Sequence, residues 1–353
     1  MCSWHNGLMA LRKLSSTDAF IVSDLEDVAC FGIVRSAPKI LQGGAENLAR
    51  SMTYSFATFE MKYGGASGGI NAGADERSQA IESFVEEIQD EIRAGNLGLD
   101  PGKGIGVGGF DNLSPIDSRN QIRFATYEKD PLHIYLSGLG PVECADHLLG
   151  VEGKTIAIEG FGAHSVVMAE LLEERGAKIV GVSTLSGSVS TPDGIAADEL
   201  REHWGTSGAD FVLGEGEDEV DPAWKIFQCG ADVLFAGSKM GAINHTTAEK
   251  LEIEALVPHQ PLPFTAKALA VLQKKNCVVV PDFVPVAGPL FSYWVDEGIE
   301  ISDIVSQVSS EMRAALDETA GNDDGLFLGS CYRAEAFLSS WQESLPFGRP
   351  LAG

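Results

Sequence analysis

Positive charge is scarce in this chain. Against 51 aspartates and glutamates stand 25 lysines and arginines, so its 353 residues carry a formal net charge of -26. Such an acidic surface repels phosphate backbones and anionic headgroups, which excludes nucleic acid and an anionic membrane as partners. The same excess suits solubility, as in a salty habitat. No run of about eighteen apolar residues occurs, so no membrane-spanning helix is expected. Clustered cysteine is also missing. The six cysteines, at positions 2, 30, 144, 229, 277 and 331, form no CxxC pair and no Cys/His group. No metal site is therefore expected, and the scattered thiols suit a reduced, cytoplasmic protein. The first residues, MCSWHNGLMALRKL, lack a long apolar core and a small-residue cleavage site, so no signal peptide is expected.

Glycine, by contrast, is plentiful at 40 residues, as in an α/β protein with many tight strand-to-helix turns. The length and a hydrophobic share of 44% give material for two cores, and two domains are expected. In the first half, AFIVSDLEDVACFGIVRS (19–36) has strand-like apolar runs. GAENLARSMTYSFATFEM (44–61) and SQAIESFVEEIQDEIRA (78–94) repeat apolar positions at helical spacing, the second with an acidic solvent face. The stretch MTYSFATFEMKYGGASGGI (52–70) reads as a helical run that breaks into a glycine-rich loop over 64–69. GKGIGVGGFDNLSP (102–115) reads as strand plus loop. In the second half, KTIAIEG (154–160), KIVGVST (178–184), ADVLFAG (231–237), residues 254–258 and NCVVVPDF (276–283) are strands. VVMAELLEERGA (166–177) is an amphipathic helix. Strands alternating with helices predict a parallel sheet. EMRAALDETAG and CYRAEAFLSSWQE are helical and close the chain.

KTIAIEGFGAHS sets Gly160 and Gly162 after a strand and before a helix, the context that a dinucleotide fingerprint requires. Gly160 makes the tight turn. Gly162 lets a pyrophosphate approach the helix start, formed by Ala163, His164 and Ser165, where free N–H groups favour an anion. Ser165 takes the place of the third glycine. The acidic residue that usually grips the adenosine ribose is missing. Ser183 and Thr184 end the second strand, so a 2′-phosphate is not repelled there, and both NAD and NADP are tenable. The competing reading of this motif is a doubly wound fold without a dinucleotide.

Four stretches resemble the glutamate/leucine/phenylalanine/valine dehydrogenase superfamily. They are LARSMTYSFATFEMKYGGASGGI (48–70), the cofactor segment over 151–195, ADVLFAGSKMGAIN (231–244) and VVVPDFVPVAGPLFSYW (278–294). The resemblance covers roughly residues 20 to 340. It implies two α/β domains with a cleft between them: an N-terminal substrate and oligomerisation domain over 1–135, and a Rossmann-like NAD(P)-binding domain over 136–324. The C-terminal helices, about 325–353, would pack back on the first domain. It also implies a homo-oligomer and a small-molecule substrate. On the cofactor side it adds Ala236, Gly237 and Asn244, near the nicotinamide end. On the substrate side it implies Ser55, Gly65, Ala66 and His259 as binding residues, and Asp111 and Ser67 as catalytic positions.

The departures from the family lie on the substrate side. The resemblance places Ser55 where the family has the lysine that grips the substrate carboxylate. Ser67 stands where it has its catalytic lysine, and serine is neutral and no base near neutral pH. Two family asparagines fall at Pro261 and Val286. Asp111 aligns with the family's aspartate to within one residue. Two functions follow. One is an NAD(P)-dependent oxidoreductase with a rebuilt substrate site for an amino or imino acid or a related compound. The other is a non-catalytic member that binds nucleotide or serves as a structural or regulatory subunit. Lys62, Lys103 and Lys239 are the cations that could have relocated, and a solvated surface position is the expectation for each. For Asp117, Arg119 and Arg123 an exposed helical ion pair is expected, and for Phe291, Tyr293 and Trp294 packing at the domain interface.

Overall fold

The computed structural model describes residues 9–106, 108–213 and 220–352. Cys2 and most of the opening stretch lie outside them, as does Val107 within the glycine-rich 102–115 segment. The chain divides into two compact units. The first runs to Gln121 and takes in Cys331–Pro350, and the second runs over Ile122–Ser330 with the residues from Leu351 onward.

The first unit is built on β1 (Ala10–Lys13), β2 (Ala19–Ser23), β3 (Cys30–Ala37), α1 (Gln42–Thr58), β4 (Gly64–Asn71), α2 (Arg77–Arg93) and β5 (Leu97–Pro101). Its sheet runs β1-β2-β4-β3-β5. Strand β3 pairs in parallel with β4 and β5, and β2 pairs antiparallel with β1 and β4. Helix α2 forms where the apolar spacing predicts it. Ile81, Phe84, Val85, Ile88 and Ile92 fall on one face and join Val34, Ile70, Leu97, Leu99 and Phe110 in the core. Burying each such side chain contributes about 1.5–3 kcal/mol.

The glycine-rich run is a strand and not the expected loop. Its reason is packing. An added Cβ on Gly65 would lie 1.9 Å from the carbonyl oxygen of Ala49 in α1. The Gly65 N–H donates to Thr53 Oγ1 at 2.9 Å, and that hydroxyl donates on to the Ala49 carbonyl at 3.2 Å. The small residues let α1 lie directly on the backbone of β4, and no ligand is needed to explain them. Residues 331–350 also pack on α1. Tyr54 Oη donates to Glu335 at 3.0 Å, and Arg333 Nε donates to the Thr58 carbonyl at 3.0 Å. The 102–115 stretch differs from expectation as well. Its described residues form turns and a short 3-10 helix, Ser114–Ile116, and no strand, because the sheet's edge strand ends at Pro101.

The second unit continues with β6 (Thr126–Tyr127), β7 (Asp130–Pro131), α3 (Leu132–Leu149), β8 (Thr155–Glu159), α4 (Ala163–Glu174), β9 (Lys178–Ser183), β10 (Ser188–Ser190) and α5 (Ala197–Ser207). It goes on through β11 (Val233–Ala236), α6 (His245–Lys250), β12 (Ala255–Pro258), α7 (Ala266–Lys274), β13 (Val278–Val279) and α8 (Ile301–Thr319). The boundary between the units falls inside α9 (Leu326–Ser339). The main sheet runs β10-β9-β8-β11-β12-β13. All its pairs are parallel except β9 with β10. The short turn after Ser183 cannot carry a crossover, so β10 returns as a hairpin edge. Strand order reverses about β8: β9 lies on one side and β11 on the other. In open α/β sheets that switch point, at the carboxyl ends of the strands, is where ligands bind.

Among the described residues, no helix is long and apolar enough to cross a membrane, and no group of His, Cys, Asp and Glu is arranged to hold a metal. Cys30, Cys144, Cys229, Cys277 and Cys331 are free thiols.

Candidate active site

At the switch point β8 ends in Glu159 and the chain turns sharply through Gly160, Phe161 and Gly162 into α4. Gly160 has φ +89°, and a Cβ on it would lie 2.4 Å from the Ser238 nitrogen, so only glycine fits. The N–H groups of Gly160 and Phe161 both donate to the Ser183 carbonyl, at 3.1 and 2.7 Å, which fixes the turn to the end of β9. The Gly162 N–H donates to Ser165 Oγ at 3.1 Å, so the small residue in the third glycine's place caps the helix. The first-turn N–H groups of Ala163 and His164 have no acceptor within the helix, and the helix start favours an anion there.

Two features here were not legible in the sequence: the role of Glu159, and the contact between His164 and His259. Glu159 is buried, and its Oε2 accepts from the N–H groups of Gly237 and Ser238 at 3.1 and 3.0 Å, while the Ser238 hydroxyl donates to Oε1. The carboxylate clips the carboxyl ends of β8 and β11 together. Its only signal in the sequence is a charge at the end of an otherwise apolar strand. The second feature is a histidine pair. His259, directly after β12, is buried. Its Nε2 donates to the Glu159 carbonyl at 2.8 Å, which leaves Nδ1 as the acceptor for His164 Nε2, also at 2.8 Å. Burial lowers the pKa of both rings. For His164, burial and then the neighbouring ring push it from 6.5 down to about 3.

The other residues expected on the cofactor side take varied places. Ala236 ends β11 and is fully buried, and Gly237 follows it. Asn244 is the N-cap of α6, its side-chain oxygen accepting from the Thr247 N–H at 3.0 Å. Thr184 Oγ1 donates to the Ala209 carbonyl at 2.6 Å.

The residues expected on the substrate side lie in the first unit, His259 apart. Ser67 is on β4, opposite Val22 and Ile33, and Ser55 is in α1. Both are fully buried, and neither hydroxyl has a hydrogen-bond partner. The α1 side chain that meets β4 at Gly65 is Thr53, not Ser55. Ala66 is buried within the strand. Asp111 is exposed in a turn, its N–H donating to the Gly108 carbonyl at 3.2 Å. Lys62, Lys103 and Lys239 are all exposed.

The arginine expectation is corrected. Arg119 is buried, on no regular helix, and paired with Asp117 and Asp100 at 2.6 and 2.7 Å beside the Phe31 ring. Arg123 is buried too, its guanidinium 4.6 Å from the centre of the Phe124 ring and 5.8 Å from that of Tyr293. Asp100 and Phe31, distant in the chain, draw Arg119 inward, and the aromatic faces of Phe124 and Tyr293 hold Arg123.

The sheet order, the glycine turn and the helix start define a Rossmann-like dinucleotide-fold domain. Residues 137–295 match the family model of the Glutamate/Leucine/Phenylalanine/Valine dehydrogenases. The NADP-specific glutamate dehydrogenase of Saccharolobus shibatae is 26% identical over 288 residues, 75% of this chain and 67% of that protein. The NAD-specific glutamate dehydrogenase of Staphylococcus aureus is 25% identical over 314 residues, 81% of this chain and 74% of that protein. Among solved structures, the hetero-hexameric glutamate dehydrogenase of Thermus thermophilus, in its leucine-bound form, matches with a TM-score of 0.75. It is 19% identical, and the match covers 96% of this chain and 90% of that one. The resemblance read from the sequence is borne out: over residues 137–295 the chain matches the model of that superfamily, and it is similar to glutamate dehydrogenases along most of its length.

Proposed function

We propose that this chain is an NAD(P)-dependent oxidoreductase of the amino-acid dehydrogenase type, with a rebuilt substrate site. The observation that carries the reading is the turn from Glu159 to Ser165 at the switch point of the parallel sheet, pinned to Ser183 and open only to glycine at position 160. That cradle suits a pyrophosphate on the α4 N-terminus. Relatives named for NADP and for NAD support a nicotinamide dinucleotide. Gly160, Gly162, Ala163, His164 and Ser165 would hold the pyrophosphate. Ser183 and Thr184 would border the adenosine ribose, and Ala236, Gly237 and Asn244 the nicotinamide end. When bound, the group supplies hydride transfer, and the protein's part is to position a substrate carbon against it.

The substrate in this reading is an amino or imino acid, or a compound lacking the α-carboxylate that the family lysine grips. Ser55 and Ser67 stand at the family's lysine positions and offer hydroxyls only. Asp111 is the acid or base left on that side. The enzyme would work in the cytoplasm as a homo-oligomer. The test combines direct titration with NADH and NADPH and a turnover screen over amino acids, imino acids and amines. Dinucleotide binding with turnover of one class supports the reading, and absence of binding at millimolar concentration overturns it.

A second reading is a nucleotide-binding subunit without catalysis. The burial of Ser55 and Ser67, with neutral side chains at both positions, favours it. Binding of NAD(H) without turnover of any compound, alone or beside a catalytic relative, would select this reading.

A further inference from the structure

The end of β9 carries no carboxylate of its own, but the fold brings one from another segment. Ser186, in the turn after β9, donates its hydroxyl to Asp210 Oδ1 at 2.5 Å. Two residues earlier, Thr184 donates to the Ala209 carbonyl and accepts from the Ser186 N–H at 3.1 Å. These bonds tie the short 3-10 helix Gly208–Leu213 to the turn. The same helix also meets the glycine turn. Phe211, next to Asp210, stands edge-on to Phe161, with ring centres 5.6 Å apart, and Trp204 flanks that ring at 6.0 Å. Asp210 itself is exposed. It is thus held just beyond the end of the second strand, and its neighbour Phe211 meets Phe161 of the glycine turn, the two landmarks of a Rossmann adenosine subsite.

We propose that Asp210, oriented by Ser186, sets the nucleotide specificity of this site. Its carboxylate accepts hydrogen bonds from the ribose hydroxyls of an unphosphorylated adenosine and repels a 2′-phosphate, so the site takes NAD(H) in preference to NADP(H). The proposal rests on the dinucleotide reading of the second unit. It replaces the expectation, drawn from Ser183 and Thr184 alone, that a 2′-phosphate meets no negative charge there. Sequence spacing hides the residue, because the carboxylate arrives from 24 positions beyond the serine that holds it.

The experiment is a fluorescence titration of the full chain with NADH and with NADPH, on wild type, Asp210→Asn and Ser186→Ala. Wild type is expected to bind NADH about tenfold or more tightly than NADPH, since like charges a few ångströms apart are unfavourable even near water. Asp210→Asn keeps the side-chain shape and should bring the two affinities within about threefold, chiefly by tightening NADPH. Ser186→Ala keeps the charge but frees it, and should give an intermediate ratio. A competition of 5′-ADP against 2′,5′-ADP on wild type gives the same comparison without any substitution, and guards against a variant that fails to fold. Equal affinities in wild type, or an unchanged ratio in Asp210→Asn, would overturn the role of Asp210 and leave the dinucleotide reading standing. Absence of binding to either dinucleotide would overturn both.

Discussion

His164 donates from Nε2 to Nδ1 of His259 at 2.8 Å, and His259 in turn donates to the Glu159 carbonyl. The His259 ring must stay neutral to keep this chain of donors, because protonating its Nδ1 would remove the acceptor. The pKa values of both rings are lowered, that of His164 from 6.5 to about 3. The sign follows. Above pH 6.5 the rings are neutral folded and unfolded, and the pair adds no pH dependence. As pH falls from 6.5 toward 3, the unfolded chain takes up protons that the native pair resists, and stability is lost. Urea denaturation at pH 7.5, 6 and 5 should show a steeper decline for wild type than for His164→Phe. The comparison between the two matters more than either curve, because protonating carboxylates on a chain of net charge -26 relieves repulsion in both. Parallel curves would refute the assignment.

Gly65 is the position where α1 comes closest to the sheet. A methyl group there would lie 1.9 Å from the Ala49 carbonyl oxygen, and that oxygen is backbone that cannot swing aside. Gly65→Ala should destabilise the protein by about 3 kcal/mol, at the upper end for overpacking. Chemical denaturation measures it, and a change within about 0.5 kcal/mol of zero would show that the helix can move.

How much of this was legible in the sequence depended on whether the cause was local. Helix α2 was read closely because its five buried residues repeat at helical spacing, and the β8–Gly160–α4 turn because its fingerprint is contiguous. The strand β4 was hidden, since GGASGGIN has the composition of a loop. It becomes a strand only because α1 needs a surface without side chains to lie on. Helix α3 was missed for a related reason: Gly138, Gly140 and Pro141 look like breakers, yet all three are buried in its interior. The histidine pair joins residues 95 positions apart, and neither carries a signal of the other. The burial of Arg119 follows from Asp100 and Phe31, which lie far from it in the chain.

Arg50 and Asp24 form a buried ion pair in the first unit, with side-chain exposures of 7% and 0%. The guanidinium also donates to the carbonyls of Phe347 and Gly348, the second at 2.6 Å, so it ties the C-terminal segment to α1. Removing one partner strands the other charge out of water. Arg50→Met should cost about 3–5 kcal/mol. It should also loosen residues 347–348, seen as faster proteolysis near that end while the rest of the chain stays protected. A loss below about 1 kcal/mol would place the pair among ordinary surface bridges.

Ser55 and Ser67 decide between the two functional readings. Each is a fully buried hydroxyl without a partner. An unmade hydrogen bond of that kind costs about 1–3 kcal/mol, so Ser67→Ala should raise stability by about 1 kcal/mol if the hydroxyl serves nothing in the fold. If the hydroxyls bind substrate, the same substitution lowers kcat/KM and leaves NADH affinity unchanged. If the chain is a subunit without catalysis, only stability moves. Ser67→Lys probes the family likeness from the other side. Ser67 sits mid-strand between Val22 and Ile33, on the face of β4 that carries Gly65, and an ammonium there would lose its hydration. A destabilisation of several kcal/mol is expected. A Ser67→Lys protein as stable as wild type, with new activity on a simple amino acid, would show that the substrate side was never rebuilt and lacks only its charge.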